Sequence, residues 1–246
     1  MSVRKHIPNA ITSLNLLCGV TGIIFTLTPR FSGYLGPAFI CMLAAMVFDF
    51  CDGLAARLLG VQSPCGKELD SLADVVSFGV LPALMMAVEC KGNASGWMVY
   101  LTVIPLLIAV FSALRLAKFN TDERQHESFI GLPTPASALI CGSFCCITAF
   151  LPDSWWRWIP VIIAVMSILL CFLLVCELPM FSFKFGKGIK ADTVTKMLRT
   201  AIVSISAIII VLVALFRLRW QFIILGILLA YILENALFYI LAPKDN

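Results

Sequence analysis

Residues 35–58 read LGPAFICMLAAMVFDFCDGLAARL. The first fourteen of them carry no charge, and then Asp49, Asp52 and Arg57 arrive within nine positions. A helix rises about 1.5 Å per residue, so a stretch of this length reaches across a hydrocarbon layer about 30 Å thick. The stretch therefore predicts a membrane-spanning helix that ends in a polar cluster rather than in a simple anchor.

Outward from there the same texture recurs. Apolar runs broken by polar, proline or glycine positions fall near 11–28, 70–89, 97–117, 133–151, 158–177, 200–216 and 220–241. With 35–58 they predict eight helices in one all-α integral membrane bundle. The composition agrees, at 61% hydrophobic and 13% charged, against roughly 45–50% and 25% in soluble domains. A bilayer leaves no water to satisfy an open backbone, and no stretch shows the ten-residue alternation of a membrane barrel. The run that starts near Ile11 follows Arg4 and Lys5, is long, and has no small-residue cleavage site behind it. It is expected to stay as the first span rather than to be removed as a signal peptide.

An even number of spans puts both termini on one side. Thirteen of the eighteen Lys and Arg residues fall on that side, namely Arg4, Lys5, Arg57, Lys67, Arg115, Lys118, Arg124, Lys184, Lys187, Lys190, Lys196, Arg199 and Lys244, and five fall opposite. The bias predicts a cytoplasmic location for the termini and for the 57–70 loop. Trp155, Trp156 and Trp158 mark a span edge, where amphipathic rings settle at headgroup level. Between spans six and seven, Phe181, Phe183 and Phe185 interleave with Lys184, Lys187 and Lys190. That segment reads either as an interfacial strip on an anionic surface or as an ordinary basic loop. The net charge of +4 requires no nucleic acid partner. The ten cysteines show no zinc-like spacing and read as small buried residues.

Five of the fourteen acidic residues lie between Asp49 and Asp74. Asp49 and Asp52 are three apart and Asp70 and Asp74 four apart, so each pair shares one helix face. Two antiparallel helices joined by a 58–69 loop would bring the pairs opposite each other. One aspartate at a span centre costs about 2.5–3.5 kcal/mol, so four placed deep would cost on the order of 10 kcal/mol. Hard divalent cations with oxygen ligands are the natural offset. Two such ions about 3.5–4 Å apart also serve in-line displacement at phosphorus, clamping the entering and leaving oxygens. Gly53 and Ala56 leave the same face bare, either for a flat ligand or for close helix packing. Arg57 has the fork that grips a pyrophosphate.

The arrangement Asp49-x2-Asp52-Gly53-x2-Ala56-Arg57-x8-Gly66-x3-Asp70-x3-Asp74 resembles the signature of the CDP-alcohol phosphotransferase family at every fixed position. That resemblance implies a six-helix core, two divalent cations, Mg²⁺ or Mn²⁺, on Asp49, Asp52 and Asp70 with Asp74 shared or free, and CDP near Gly53, Ala56, Arg57 and Gly66. It implies further that Asp74 is the base that deprotonates the acceptor hydroxyl, and that the chain forms a homodimer. A hydroxyl is a poor nucleophile near neutral pH, so a positioned base suits the chemistry.

Further stretches resemble the bacterial and archaeal serine-transferring branch: Ile7-Pro8-Asn9-Ala10-Ile11-Thr12-x-x-Asn15, Ser77-Phe78-Gly79-Val80-x-Pro82, Arg115-Leu116-Ala117-Lys118-Phe119-Asn120 and Phe129-Ile130-Gly131-Leu132-Pro133. The resemblance implies transfer of phosphatidyl from CDP-diacylglycerol to L-serine. Pro8 is expected to start a short N-terminal interfacial helix, with Asn9, Thr12 and Asn15 turned toward the nucleotide, although helix capping would use the same residues. Arg115, Lys118 and Asn120 are candidates for the lipid phosphate or the acceptor, and span-end snorkelling is their other reading. The expected organisation is a core over 1–178, a basic interfacial segment over 179–199 and two added spans over 200–246, in the inner membrane with the site facing the cytoplasm. Two rival readings are a sister enzyme using glycerol 3-phosphate or inositol phosphate, and an ion-coupled transporter. The transporter predicts acids spread over several spans rather than gathered at one end.

Overall fold

The computed structural model describes residues 6–28, 35–61, 63–121, 129–177, 179–180 and 193–241. Arg4, Lys5, Arg124, His126 and the Phe181–Lys190 strip of aromatic and basic residues lie outside the described residues.

Among the described residues ten α-helices follow in order: α1 (Ile7–Leu27), α2 (Gly36–Leu59), α3 (Pro64–Asp74), α4 (Leu81–Asn93), α5 (Leu107–Thr121), α6 (Thr134–Thr148), α7 (Asp153–Trp156), α8 (Ile159–Val175), α9 (Thr193–Leu215) and α10 (Gln221–Leu241). A π-helical turn, Val75–Val80, joins α3 to α4, and a 3₁₀ stretch, Gly96–Leu106, leads into α5. Four continuous helices are long and apolar enough to cross a membrane: Ile7–Leu27, Gly36–Leu59, Pro64–Asn93 and Gly96–Thr121. Shorter apolar helices run over Thr134–Thr148, Ile159–Val175, Ile202–Leu215 and Gln221–Leu237. All eight fall on the apolar runs read from the sequence.

The faces are inverted relative to a soluble bundle. On α1 the buried residues are Pro8, Thr12, Asn15, Gly19, Gly22 and Thr26, while Leu14, Leu17, Val20, Ile24 and Leu27 are exposed. Small and polar side chains line helix contacts and large apolar ones face outward, as a hydrocarbon solvent requires. The hydroxyls of Thr12, Thr21 and Thr26 bond carbonyls four residues back, which satisfies them inside their own helix.

The core gathers Phe39 and Met42 of α2, Phe78 of the π turn, Leu81, Met85 and Met86 of α4, Ile108 of α5, Cys141 and Cys145 of α6 and Ile163 of α8. α10 lies against α6, and the Trp220 ring just before it stacks on Phe39 at 5.6 Å, so the C-terminal pair is fastened to this core. Five of the ten cysteines are buried as expected, four are half-buried, and Cys65 is exposed.

Three expectations change. Among the described residues no separate interfacial helix precedes the first span: Pro8 stands in the first turn of α1, where its missing N–H leaves no bond unmade, and the helix continues unbroken to Leu27. The third long helix begins at Pro64, not near residue 70, because Ser63 caps it and Pro64 presets its first turn. Gly66 and the exposed Glu68 therefore sit on a helix rather than in a loop. Finally, the all-α bundle carries one pair of two-residue antiparallel strands, β1 (Phe129–Ile130) and β2 (Pro179–Met180). Gly131 follows with φ +74, and a Cβ there would meet the carbonyl oxygens of Cys176 at 2.8 Å and Leu174 at 3.1 Å.

Candidate active site

α2 ends at Gly60, whose φ of +62 forms a left-handed cap, and Val61 N–H donates to the Ala56 carbonyl at 3.1 Å. Ser63 then accepts from the Gly66 N–H at 3.0 Å and starts α3. This short connection reverses the chain, yet α2 and α3 scarcely touch. Both lean on α1 instead, so the hairpin is splayed and a cleft opens between its arms.

The cleft is a cavity of about 690 Å³. Its walls include Asn9, Thr12, Gly53, Ala56, Arg57 and Gly66, six of the positions expected to face the nucleotide, together with the metal candidate Asp52. Asp70 and Asn120 border it as well. A Cβ on Gly53 would meet nothing within 4 Å, so no neighbouring helix requires a glycine there. Close helix packing does not explain Gly53; bare backbone facing the cavity does. At Gly66 the opposite holds, since a Cβ would lie 3.0 Å from Ser63 Oγ and 3.1 Å from Asn9 Oδ1.

Below this space lie the acids. Asp49, Asp70 and Asp74 each present a carboxylate oxygen within 4.8 Å of the other two. Asp52 is buried one turn from Asp49, with the Thr12 hydroxyl beside it. Among the described residues the ion pair present is Lys118 with Glu177, so no cationic side chain is paired with any of the four aspartates. Asp52 Oδ2 and Asp70 Oδ1 are buried with no hydrogen-bond partner. Convergent, unpaired carboxylate oxygens in this setting are the donor set that a hard divalent cation takes. Asp49, Asp70 and Asp74 fit such an ion, with Asp52 one turn away on α2.

The remaining candidates separate. Asn120 Nδ2 donates to Ser71 Oγ at 2.7 Å and its carbonyl accepts from Lys67 Nζ at 3.4 Å, which ties the end of α5 to α3 at the cavity wall. Arg115 is buried, donates from Nη1 to Thr134 Oγ1 at 3.3 Å, and lies over the Phe119 ring at 5.6 Å. It is within electrostatic reach of Asp74 but does not line the cavity, and its Nε has no partner. Lys118 points away and pairs with the exposed Glu177 at 3.1 Å. Snorkelling to the surface describes Lys118; it does not describe Arg115. Asn15 also departs from expectation. It is fully buried and donates from Nδ2 to Asp74 Oδ1 at 3.2 Å instead of facing the nucleotide space.

Lys67 and Phe119 border the cavity without having been singled out as site residues. For Lys67 a signal existed, because positions 67, 70 and 74 follow the spacing of one helix face. Phe119 had none, since an aromatic at a span end is commonplace.

Residues 5–173 match the family model for CDP-alcohol phosphatidyltransferase. A CDP-diacylglycerol–serine O-phosphatidyltransferase of Mycobacterium tuberculosis is 37% identical over 158 residues, covering 61% of this chain and 52% of that protein. The protein of the same name from Methanocaldococcus jannaschii is 34% identical over 146 residues, 58% of this chain and 63% of its own. That of Bacillus subtilis is 33% identical over 142 residues, 55% and 72% respectively. The matched region thus spans about half the length of the mycobacterial relative. With more than half of its length matched and its signature residues gathered around one cavity, the chain belongs to the CDP-alcohol phosphatidyltransferase family.

Proposed function

We propose that the protein transfers the phosphatidyl group of CDP-diacylglycerol to the hydroxyl of L-serine, giving phosphatidylserine and CMP. The observation that carries this reading is the cavity between α2 and α3, lined by seven signature and N-terminal residues and by Asp70, which belongs to a convergent group with Asp49 and Asp74 that has no cationic side-chain partner among the described residues. The serine acceptor is supported by the three relatives, each of them named as a CDP-diacylglycerol–serine O-phosphatidyltransferase.

In this reading Asn9, Thr12 and Arg57 bind the cytidine diphosphate, with Gly53 and Ala56 letting it lie against the α2 backbone. Asp49, Asp52 and Asp70 would hold two divalent cations, Mg²⁺ or Mn²⁺, with Asp74 shared or free. When bound, those ions neutralise the pyrophosphate and stabilise charge on the departing phosphate. The serine oxygen attacks the lipid-side phosphorus, its proton passes to an Asp74 carboxylate oxygen, and the bond from that phosphorus to the CMP oxygen breaks. Arg115, buried with an unpartnered Nε, orients an anionic group, either the lipid phosphate or the serine carboxylate.

We place the catalytic unit within residues 1–178, and assign 179–199 to the membrane surface and 200–246 to two accessory spans. The whole is an eight-span protein of the inner membrane with its cavity open to the cytoplasm, which the Lys and Arg bias supports. The purified protein in detergent, given CDP-diacylglycerol with L-serine, glycerol 3-phosphate or inositol phosphate in turn, tests the reading. CMP release with phosphatidylserine formation, lost on chelation and restored by Mg²⁺ or Mn²⁺, is expected. Release only with another alcohol would overturn the acceptor, and none with any would overturn the reaction.

A further inference from the structure

Asn15 stands outside the cavity and outside the acid cluster, yet from α1 it donates a side-chain hydrogen bond to Asp74 of that cluster. Its side chain is fully buried, and Asp74 keeps only a small exposed fraction. From these contacts we infer that Asn15 is a positioning residue: through Nδ2 on Asp74 Oδ1 it fixes the rotation of that carboxylate and leaves the other oxygen to the acceptor proton. The inference rests on the proposed role of Asp74 as the base.

The local construction is directed at this contact. Asp74 is the last residue of α3, and Val75–Val80 then widen into a π turn. Such turns are rare and gather at functional sites because they displace the side chains that follow. Here the turn brings Ser77 under α1, where Ser77 Oγ donates to the Asn15 carbonyl at 3.1 Å. Asn15 is thus held by its own backbone to the element it orients. Gly19, one turn further along α1, makes the approach possible: a Cβ there would collide with Ser77 Oγ and lie 3.0 Å from Ser77 Cα. Three residues, Asn15, Gly19 and Ser77, therefore set how α1 meets the π turn. Asn15 Oδ1 has no partner of its own, so the side chain is committed to one donor contact rather than shared in a wider network.

A carboxylate free to rotate populates several orientations, only some of which face the acceptor. Loss of such orientation lowers turnover without lowering substrate affinity. Two variants test this. Asn15→Leu keeps the size and removes the donor. Asn15→Ser is too short to reach Asp74 and suits the helix, because its hydroxyl can bond a carbonyl four residues back as Thr12 and Thr26 do. With Mg²⁺-loaded full-length protein, both variants are expected to lower kcat ten- to a hundredfold and to leave KM for CDP-diacylglycerol and for L-serine within threefold. Mn²⁺ titration followed by electron paramagnetic resonance is expected to give unchanged stoichiometry and affinity. Ser77→Ala, which loosens Asn15 without touching it, should reduce kcat less than Asn15→Leu does.

Unchanged kcat in a folded Asn15→Ser protein overturns the positioning role. So does a loss of Mn²⁺ binding that parallels the loss of activity, since Asn15 would then maintain the acid cluster as a whole. If the unsubstituted protein releases no CMP with any alcohol, the function itself fails, and the role of Asn15 with it; if it releases CMP equally with and without Asn15, only the role of Asn15 fails.

Discussion

Gly53 separates two explanations that the chain alone leaves open. Because a Cβ there would meet nothing within 4 Å, Gly53→Leu should leave the thermal midpoint in detergent nearly unchanged, while KM for CDP-diacylglycerol rises tenfold or more. A large loss of stability with unchanged KM would return Gly53 to the helix-packing role. The acids and the cations divide in the same way. Asp70→Asn or Asp74→Asn removes a charge from the cluster, and a fall in kcat of about 10²–10⁴ is expected from lost base or electrostatic function. Lys118→Ala should keep activity within threefold, because Lys118 pairs with Glu177 at the surface and such exposed pairs contribute about 0–1 kcal/mol. Strong loss of activity in Lys118→Ala would place that lysine back in the acceptor site. The aspartates and Gly53 were legible because their spacing is dictated by one helix face. The partner of Asp74 was not, since Asn15 lies 59 positions away in the chain.

At the level of elements, the two short strands and Gly131 hold the entrance of α6 against the end of α8. Leu132 N–H donates to the Leu173 carbonyl at 2.8 Å, and three carbonyl oxygens crowd the space where a side chain on Gly131 would stand. Gly131→Ala should therefore destabilise the protein by about 1–3 kcal/mol, read as a lower unfolding midpoint. An unchanged midpoint would mean that this junction yields freely. In the sequence Phe129–Pro133 stands out only as a family-like stretch, and a glycine between two apolar runs supports no more than a break there. Which carbonyls surround it depends on α8, some forty residues later. Likewise, Ser63-Pro64 announces a helix start by local chemistry alone, whereas the π turn after Asp74 has no local signature; it exists because Ser77 and Gly19 bring α1 close.

For the whole molecule, orientation is the property to test. Cys65 is exposed beside the cavity, and five other cysteines are buried. A membrane-impermeant maleimide should label the protein in inside-out vesicles and not in right-side-out ones, with that label lost in Cys65→Ser. Labelling from the outer face would reverse the orientation that the Lys and Arg bias predicts. Placement in a membrane, the apolar helical segments and the identity of the acid cluster were determined by the sequence itself, because hydrophobic length, charge bias and i, i+3/i+4 spacing are local properties of the chain. Only the tertiary structure decided that α2 and α3 splay apart over α1, that Arg115 is buried while Lys118 leaves the site, and that Asn15 turns to Asp74. Those outcomes depend on which helices share a contact, and helix packing is set by the fit of side chains far apart in the chain, which no local pattern encodes.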